Sequence, residues 1–127
     1  MNDSPKTIVV VEDDTGMRES MEFLLKSHGF GVATFATSED LPEKLSRLRV
    51  SCVILDIHLS GPDGLAVYEH LTNNNHKLPA IFITGQVDER IRAESKRLGA
   101  IALLEKPFSD ASLLDAVDRA LQHKPAI

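Results

Sequence analysis

The stretch VVVEDD, residues 9–14, runs three valines into three acids. Glu12, Asp13 and Asp14 repel one another, so they must be solvated, spread apart or matched by a cation. Three further chemically able groups stand in similar places. Asp56 closes the apolar run VSCVIL, Thr84 closes PAIFIT, and Lys106 follows AIALL with one residue between. Brought together, two or three carboxylates, a hydroxyl and an ammonium would share one shallow pocket. Hard oxygen donors, with no second cysteine to soften the set, suit Mg²⁺. A lysine can neutralise a further anion and a hydroxyl can hydrogen-bond to it. Metal, lysine and hydroxyl around a carboxylate able to act as nucleophile are the parts of a phosphoryl site.

Such groups meet only if the chain carries them to one place. Four short runs, at 7–11, 50–55, 79–84 and 100–104, are almost continuously apolar, as suits strands covered on both faces. A fifth run, GVATF at 31–35, is mixed and suits an edge. Helical patterns lie between and after them. Residues 15–28 put Met17, Met21, Leu24, Leu25 and His28 on one face, with His28 expected to be partly buried, before Gly29. Leu41, Leu45 and Leu48 mark a second helix, with Thr37 or Ser38 as its cap and Pro42 in the first turn. Leu65, Tyr68 and Leu71 mark a third, Val87, Ile91 and Leu98 a fourth, and Leu113, Leu114, Val117, Ala120 and Leu121 a fifth. Strict alternation of strand and helix predicts an α/β, doubly wound five-stranded parallel sheet with five helices, and the mixed second run at an edge is compatible with the flavodoxin-like order 2-1-3-4-5. Sites in such sheets form beyond the carboxyl ends of the strands, where each of the acids stands.

Composition narrows the function further. The chain of 127 residues is the size of one domain, and 43% hydrophobic with 26% charged residues reads as globular rather than disordered. A net charge of −5 argues against a nucleic-acid surface. The one cysteine, Cys52, is expected to be a buried, inert thiol. No apolar run reaches membrane-spanning length and no signal peptide is visible, so a cytoplasmic protein is expected.

The ordered set VVVEDD, VILDIHL, IFITG and LLEKPF resembles the receiver domain of two-component response regulators over roughly residues 6–122. Each motif is weak alone; together and in order they are specific. The resemblance implies a single receiver domain over 1–127; with a short tail and no output domain after its core at about 6–122, the chain is expected to be either a stand-alone receiver or the first domain of a longer regulator. It implies that Asp56 accepts a phosphoryl group, that Glu12 and Asp13 help hold Mg²⁺ with Asp13 the direct ligand, and that the His58 main-chain carbonyl also binds the ion alongside Asp56. Thr84 would be the switch hydroxyl, Lys106 the phosphoryl contact, and the bond to Pro107 cis. Partners would be a sensor histidine kinase or phosphotransfer protein, and a downstream protein target or an output domain. The protein would be no enzyme beyond its own phosphorylation and dephosphorylation.

Two positions depart from the family pattern. Leu103 stands where an aromatic residue is usual, which bears on signal output, and Ser60 stands where proline is common. His58 and Gln86 resemble positions that tune phosphate lifetime.

Singly, each site residue has an ordinary reading. Asp14 is expected to cap the first helix, Asp56 could be a strand-to-loop acid, Thr84 a strand former and Lys106 a solvated lysine. The joint arrangement outweighs these readings. The histidines at 28, 58, 70, 76 and 123 lack metal-ligand spacing, and all but His28 are expected to be solvated. Arg90, Arg92, Lys96 and Arg97 in the fourth helix oppose Asp110, Asp115 and Asp118 in the fifth. That pattern is compatible with a homodimer through the fourth helix, fifth strand and fifth helix, although a solvated face is the favoured reading. A phosphatase using an aspartyl phosphate would want an acid at His58. A nucleotide binder would want a glycine-rich loop after the first strand. A receiver acting by phosphorylation-independent protein binding is the remaining alternative.

Overall fold

The structure, a computed structural model, describes residues 7–122. Five strands, β1 (Thr7–Val11), β2 (Gly31–Phe35), β3 (Val50–Asp56), β4 (Ala80–Thr84) and β5 (Ala102–Glu105), alternate with five helices. The helices are α1 (Thr15–Ser27), α2 (Leu41–Ser46), α3 (Gly64–Asn73), α4 (Glu89–Arg97) and α5 (Asp110–Gln122). All strand pairs are parallel, as the alternation predicts, and the order is β2-β1-β3-β4-β5, with the mixed run β2 at an edge as expected.

Successive side chains on a strand point to opposite faces, so each apolar run serves two cores. Ile8, Val10, Cys52, Ile54, Ile81 and Ile83 pack under α1 and α5, against Met21, Leu25, Leu113 and Val117. Val9, Val11, Val53, Leu55 and Phe82 pack on the other face, against Leu41, Leu45, Leu65, Leu71 and Ile91. This two-sided burial is why the central strands carry no alternation of polar residues. The mixed run of β2 is partly exposed throughout, as an edge requires. On α3, Tyr68 meets the Phe82 ring edge-on at 5.7 Å and donates a 2.6 Å hydrogen bond to the Leu78 carbonyl, which fixes α3 to the approach of β4.

Helix ends follow local chemistry. Asp14, Asp63 and Asp88 each accept a 2.8 Å hydrogen bond from the third amide beyond them, capping α1, α3 and α4. Gly29 and Gly99 take left-handed φ just past α1 and α4, as stop signals do.

Three details correct the sequence reading. The α2 N-cap is Asp40, in a left-handed conformation with no side-chain cap, rather than Thr37 or Ser38. Proline lacks an amide hydrogen, so Pro42 fits only in a first turn, and a start at 37 or 38 would have placed it deeper in the helix. Leu48 lies past the end of α2 and is 38% exposed. His28 is the exposed C-cap of α1 rather than a packing residue, with Nδ1 3.1 Å from the Leu24 carbonyl oxygen. Of the other histidines, 58 and 70 are exposed and His76 is half-buried. His123 lies outside the described residues.

Candidate functional site at the carboxyl rim

A parallel sheet brings all its strand ends to one rim. Val11 pairs with Leu55, so the next residues, Glu12 and Asp56, come level across the β1–β3 seam. That seam is where the strand order reverses. Ile83 pairs with Asp56 and Thr84 with Glu105, so Thr84 and Lys106 stand one step beyond on the neighbouring strands.

Glu12 and Asp56 are buried, at 0% and 3% exposure, and each is held at both oxygens. Glu12 Oε2 accepts from the Asp14 amide at 3.1 Å and Oε1 from Lys106 Nζ at 2.8 Å. Asp56 Oδ1 accepts from the His58 amide at 2.9 Å and Oδ2 from Lys106 Nζ at 2.9 Å. Lys106 thus bridges the two acids, and its own amide donates to the Thr84 carbonyl at 2.7 Å. The Lys106–Pro107 bond is cis. Asp13 is exposed, and its Oδ2 accepts from the Ser60 hydroxyl at 3.3 Å.

Carboxylate oxygens of Glu12, Asp13 and Asp56 lie within 4.8 Å of one another. This all-oxygen set fits a hard divalent cation such as Mg²⁺. Electrostatics agree. Burial, reinforced by the neighbouring Asp56 carboxylate, pushes Glu12 up to about 7. Burial opposes ionisation of Asp56 too, yet the Glu12 side chain, Lys106 and the His58 amide together hold it below the usual carboxylate range. Lys106 is raised: burial alone would lower it, and the two acids outweigh that. The site therefore keeps Asp56 ionised at the expense of its neighbour, which is the acid a further cation would relieve.

Thr84 is fully buried at the same rim, but its hydroxyl is engaged within its own loop. It donates to the Gln86 carbonyl at 3.1 Å and accepts from the Gln86 amide at 3.2 Å. Leu103, level with Phe82, is half-buried against the α2–α4 core. The His58 ring is exposed and stands outside the carboxylate cluster.

Sequence reasoning missed Arg18, whose Nη1 donates to the Glu12 carbonyl at 2.8 Å and ties the start of α1 to the end of β1. No periodicity marks that contact. Ser60 stood out only as a departure from proline, without its link to Asp13. Gly64 is also required. A Cβ there would lie 2.3 Å from the Asp56 carbonyl oxygen, so only glycine lets α3 start this close to the rim. An apolar groove of about 140 Å³ between α2 and α3, lined in part by Leu41, Pro42, Pro62 and Leu71, does not include the carboxylates.

Residues 8–118 match the model of the response regulator receiver domain. The chain is 36% identical over 120 residues to the transcriptional regulatory protein FixJ of Bradyrhizobium diazoefficiens, covering 94% of this chain and 58% of that protein. It is 39% identical over 120 residues to nodulation protein W of the same organism, covering 94% and 53%. The chain therefore spans little more than half the length of these curated relatives. Among solved structures, the FixJ-N crystal structure superposes with a TM-score of 0.85 at 28% identity, covering 100% of both chains. A CheY-like receiver domain from Methanospirillum hungatei gives 0.85 at 26%, covering 93% of this chain and 94% of that one. With the family model matching residues 8–118, most of its length, the chain belongs to the receiver domains of two-component response regulators.

Proposed function

We propose that this receiver domain accepts a phosphoryl group on Asp56 and acts as a phosphorylation-driven switch. The observation that carries the reading is a buried carboxylate hydrogen-bonded at both oxygens, by Lys106 and the His58 amide, beside two further acids. The donor would be a phosphohistidine on a sensor kinase or phosphotransfer protein. An Asp56 oxygen would form the new bond to phosphorus as the phosphorus–nitrogen bond breaks, with the electron pair leaving on the imidazole. Glu12, Asp13, Asp56 and the His58 carbonyl would hold Mg²⁺, which when bound supplies positive charge to the transferring oxygens.

Lys106 has three N–H donors and gives two to Glu12 and Asp56, leaving the third for a phosphoryl oxygen. Thr84 can turn to the new anion only by releasing the Gln86 carbonyl. It exchanges a neutral hydrogen bond of about 0.5–1.5 kcal/mol for a charge-assisted one of about 1.5–3 kcal/mol. The balance, about 1 kcal/mol, biases the loop from Thr84 to α4 without locking it. Output would then pass through α4, β5 and α5 to a protein partner or an output domain. The relative FixJ, named as a transcriptional regulatory protein, is consistent with the latter.

Intact-protein mass after incubation with a small acyl phosphate tests this. The expected result is a gain of one phosphoryl group that needs Mg²⁺ and is absent in Asp56→Asn. No gain with either the small donor or the cognate kinase would instead favour a receiver that signals by binding alone.

A further inference from the structure

Glu12 and Asp56 are immobilised by burial and by hydrogen bonds at both oxygens, whereas Asp13 is exposed. Its side-chain tether among the described residues is Ser60, 47 positions away, whose hydroxyl donates to Oδ2 at 3.3 Å. We propose that Ser60 is a positioning residue that holds Asp13 in the orientation the cation site needs. The inference rests on the magnesium reading above.

The hydroxyl is well placed to do this because its loop is fixed at both ends. The His58 amide is bound to Asp56, Gly61 adopts φ +88°, Asp63 caps α3, and the Gly64 amide donates to the Ile57 carbonyl at 2.9 Å. A carboxylate has about four acceptor positions, so one bond to Ser60 leaves the others for a cation. Without the tether, an exposed aspartate must give up side-chain rotamer freedom when it ligates. Outer partners that orient a ligating side chain are worth about 10–100-fold in metal affinity. Both residues here are exposed, which places this tether at the low end. A proline at this position would have no hydroxyl to offer and could not make the bond.

The test is Mg²⁺ binding by titration calorimetry on the full chain without any phosphodonor, beside the metal-free thermal midpoint. Ser60→Ala is expected to weaken Mg²⁺ about tenfold with the midpoint unchanged. Ser60→Thr, which keeps the hydroxyl, is expected to restore most of the affinity. Wild-type affinity in Ser60→Ala would overturn the inference. So would a Thr variant as weak as Ala, or an affinity loss accompanied by a lowered midpoint, which would mark a structural role. No Mg²⁺ binding by the wild type would overturn the magnesium reading itself, and the inference with it.

Discussion

Cys52 and Asp56 lie four residues apart on the same face of the same strand, and both are almost completely buried. Their ionisation goes opposite ways. Burial pushes the Cys52 thiol up to about 12, since it packs in the core with Ile8, Val10 and Ile54 and its sulfur reaches no nearer than 4.0 Å to the Val53 carbonyl it faces. Asp56 meets the same desolvation and is nevertheless held below the usual carboxylate range, by Glu12, Lys106 and the His58 amide. Depth alone therefore does not decide whether a group on this sheet is charged. The charged and hydrogen-bonding partners gathered at the rim decide it.

That contrast can be broken from either end. The largest effect is expected from Ile54→Ala, which deletes a fully buried side chain between the two. It should cost about 3–4 kcal/mol in urea unfolding with an unchanged m-value. Lys106→Met strikes the rim by leaving two buried acids without their cation. Removing one partner of a buried pair costs about 3–5 kcal/mol. Because the lysine side chain is 23% exposed, about 2–3 kcal/mol is expected at neutral pH without metal, shrinking near pH 5 as Glu12 takes a proton. Cys52→Ser places an unpartnered hydroxyl in the interior and should cost about 1–3 kcal/mol. Native Cys52 should resist a thiol reagent that labels it fully in denaturant.

The mildest change, Glu12→Gln, sharpens the comparison through pH. Folded Glu12 keeps its proton up to about 7, against an ordinary value of 4.5, so the folded state binds the extra proton between those limits. Metal-free stability should therefore fall as pH rises from about 4.5 to 7. In the Gln variant that slope should flatten, leaving it at least as stable as the wild type at neutral pH. A wild type whose unfolding free energy is flat across this range would contradict the raised Glu12.

The difference between interior and rim also explains what the sequence disclosed. Runs such as IVVV and CVIL suit strands covered from two sides, so the parallel sheet followed from composition and alternation, and the mixed GVATF run pointed to an edge strand. Glu12, Asp56, Thr84 and Lys106 were legible because each ends such a run, and parallel strands share one carboxyl rim. Contacts made by loops were not legible. The Ser60–Asp13 bond depends on where a turn delivers a side chain, and the Arg18–Glu12 bond on where the loop between β1 and α1 lays a carbonyl, and residue spacing encodes neither. His28 and Leu48 failed for a related reason. The apolar period continues past the residue where each helix stops, and at a helix end the backbone leaves the face on which that period was built.

One feature of the rim reaches further than charge. Lys106 grips acids 94 and 50 positions away with its ammonium, while its amide closes the last rung between β5 and Thr84. Side chain and peptide group are joined by a single Cα, so loosening one frees the other to fray. Deuterium uptake at that one amide is consequently a gauge of the whole cluster. It should quicken in Glu12→Gln and Asp56→Asn, while the amides of β1 exchange as slowly as before.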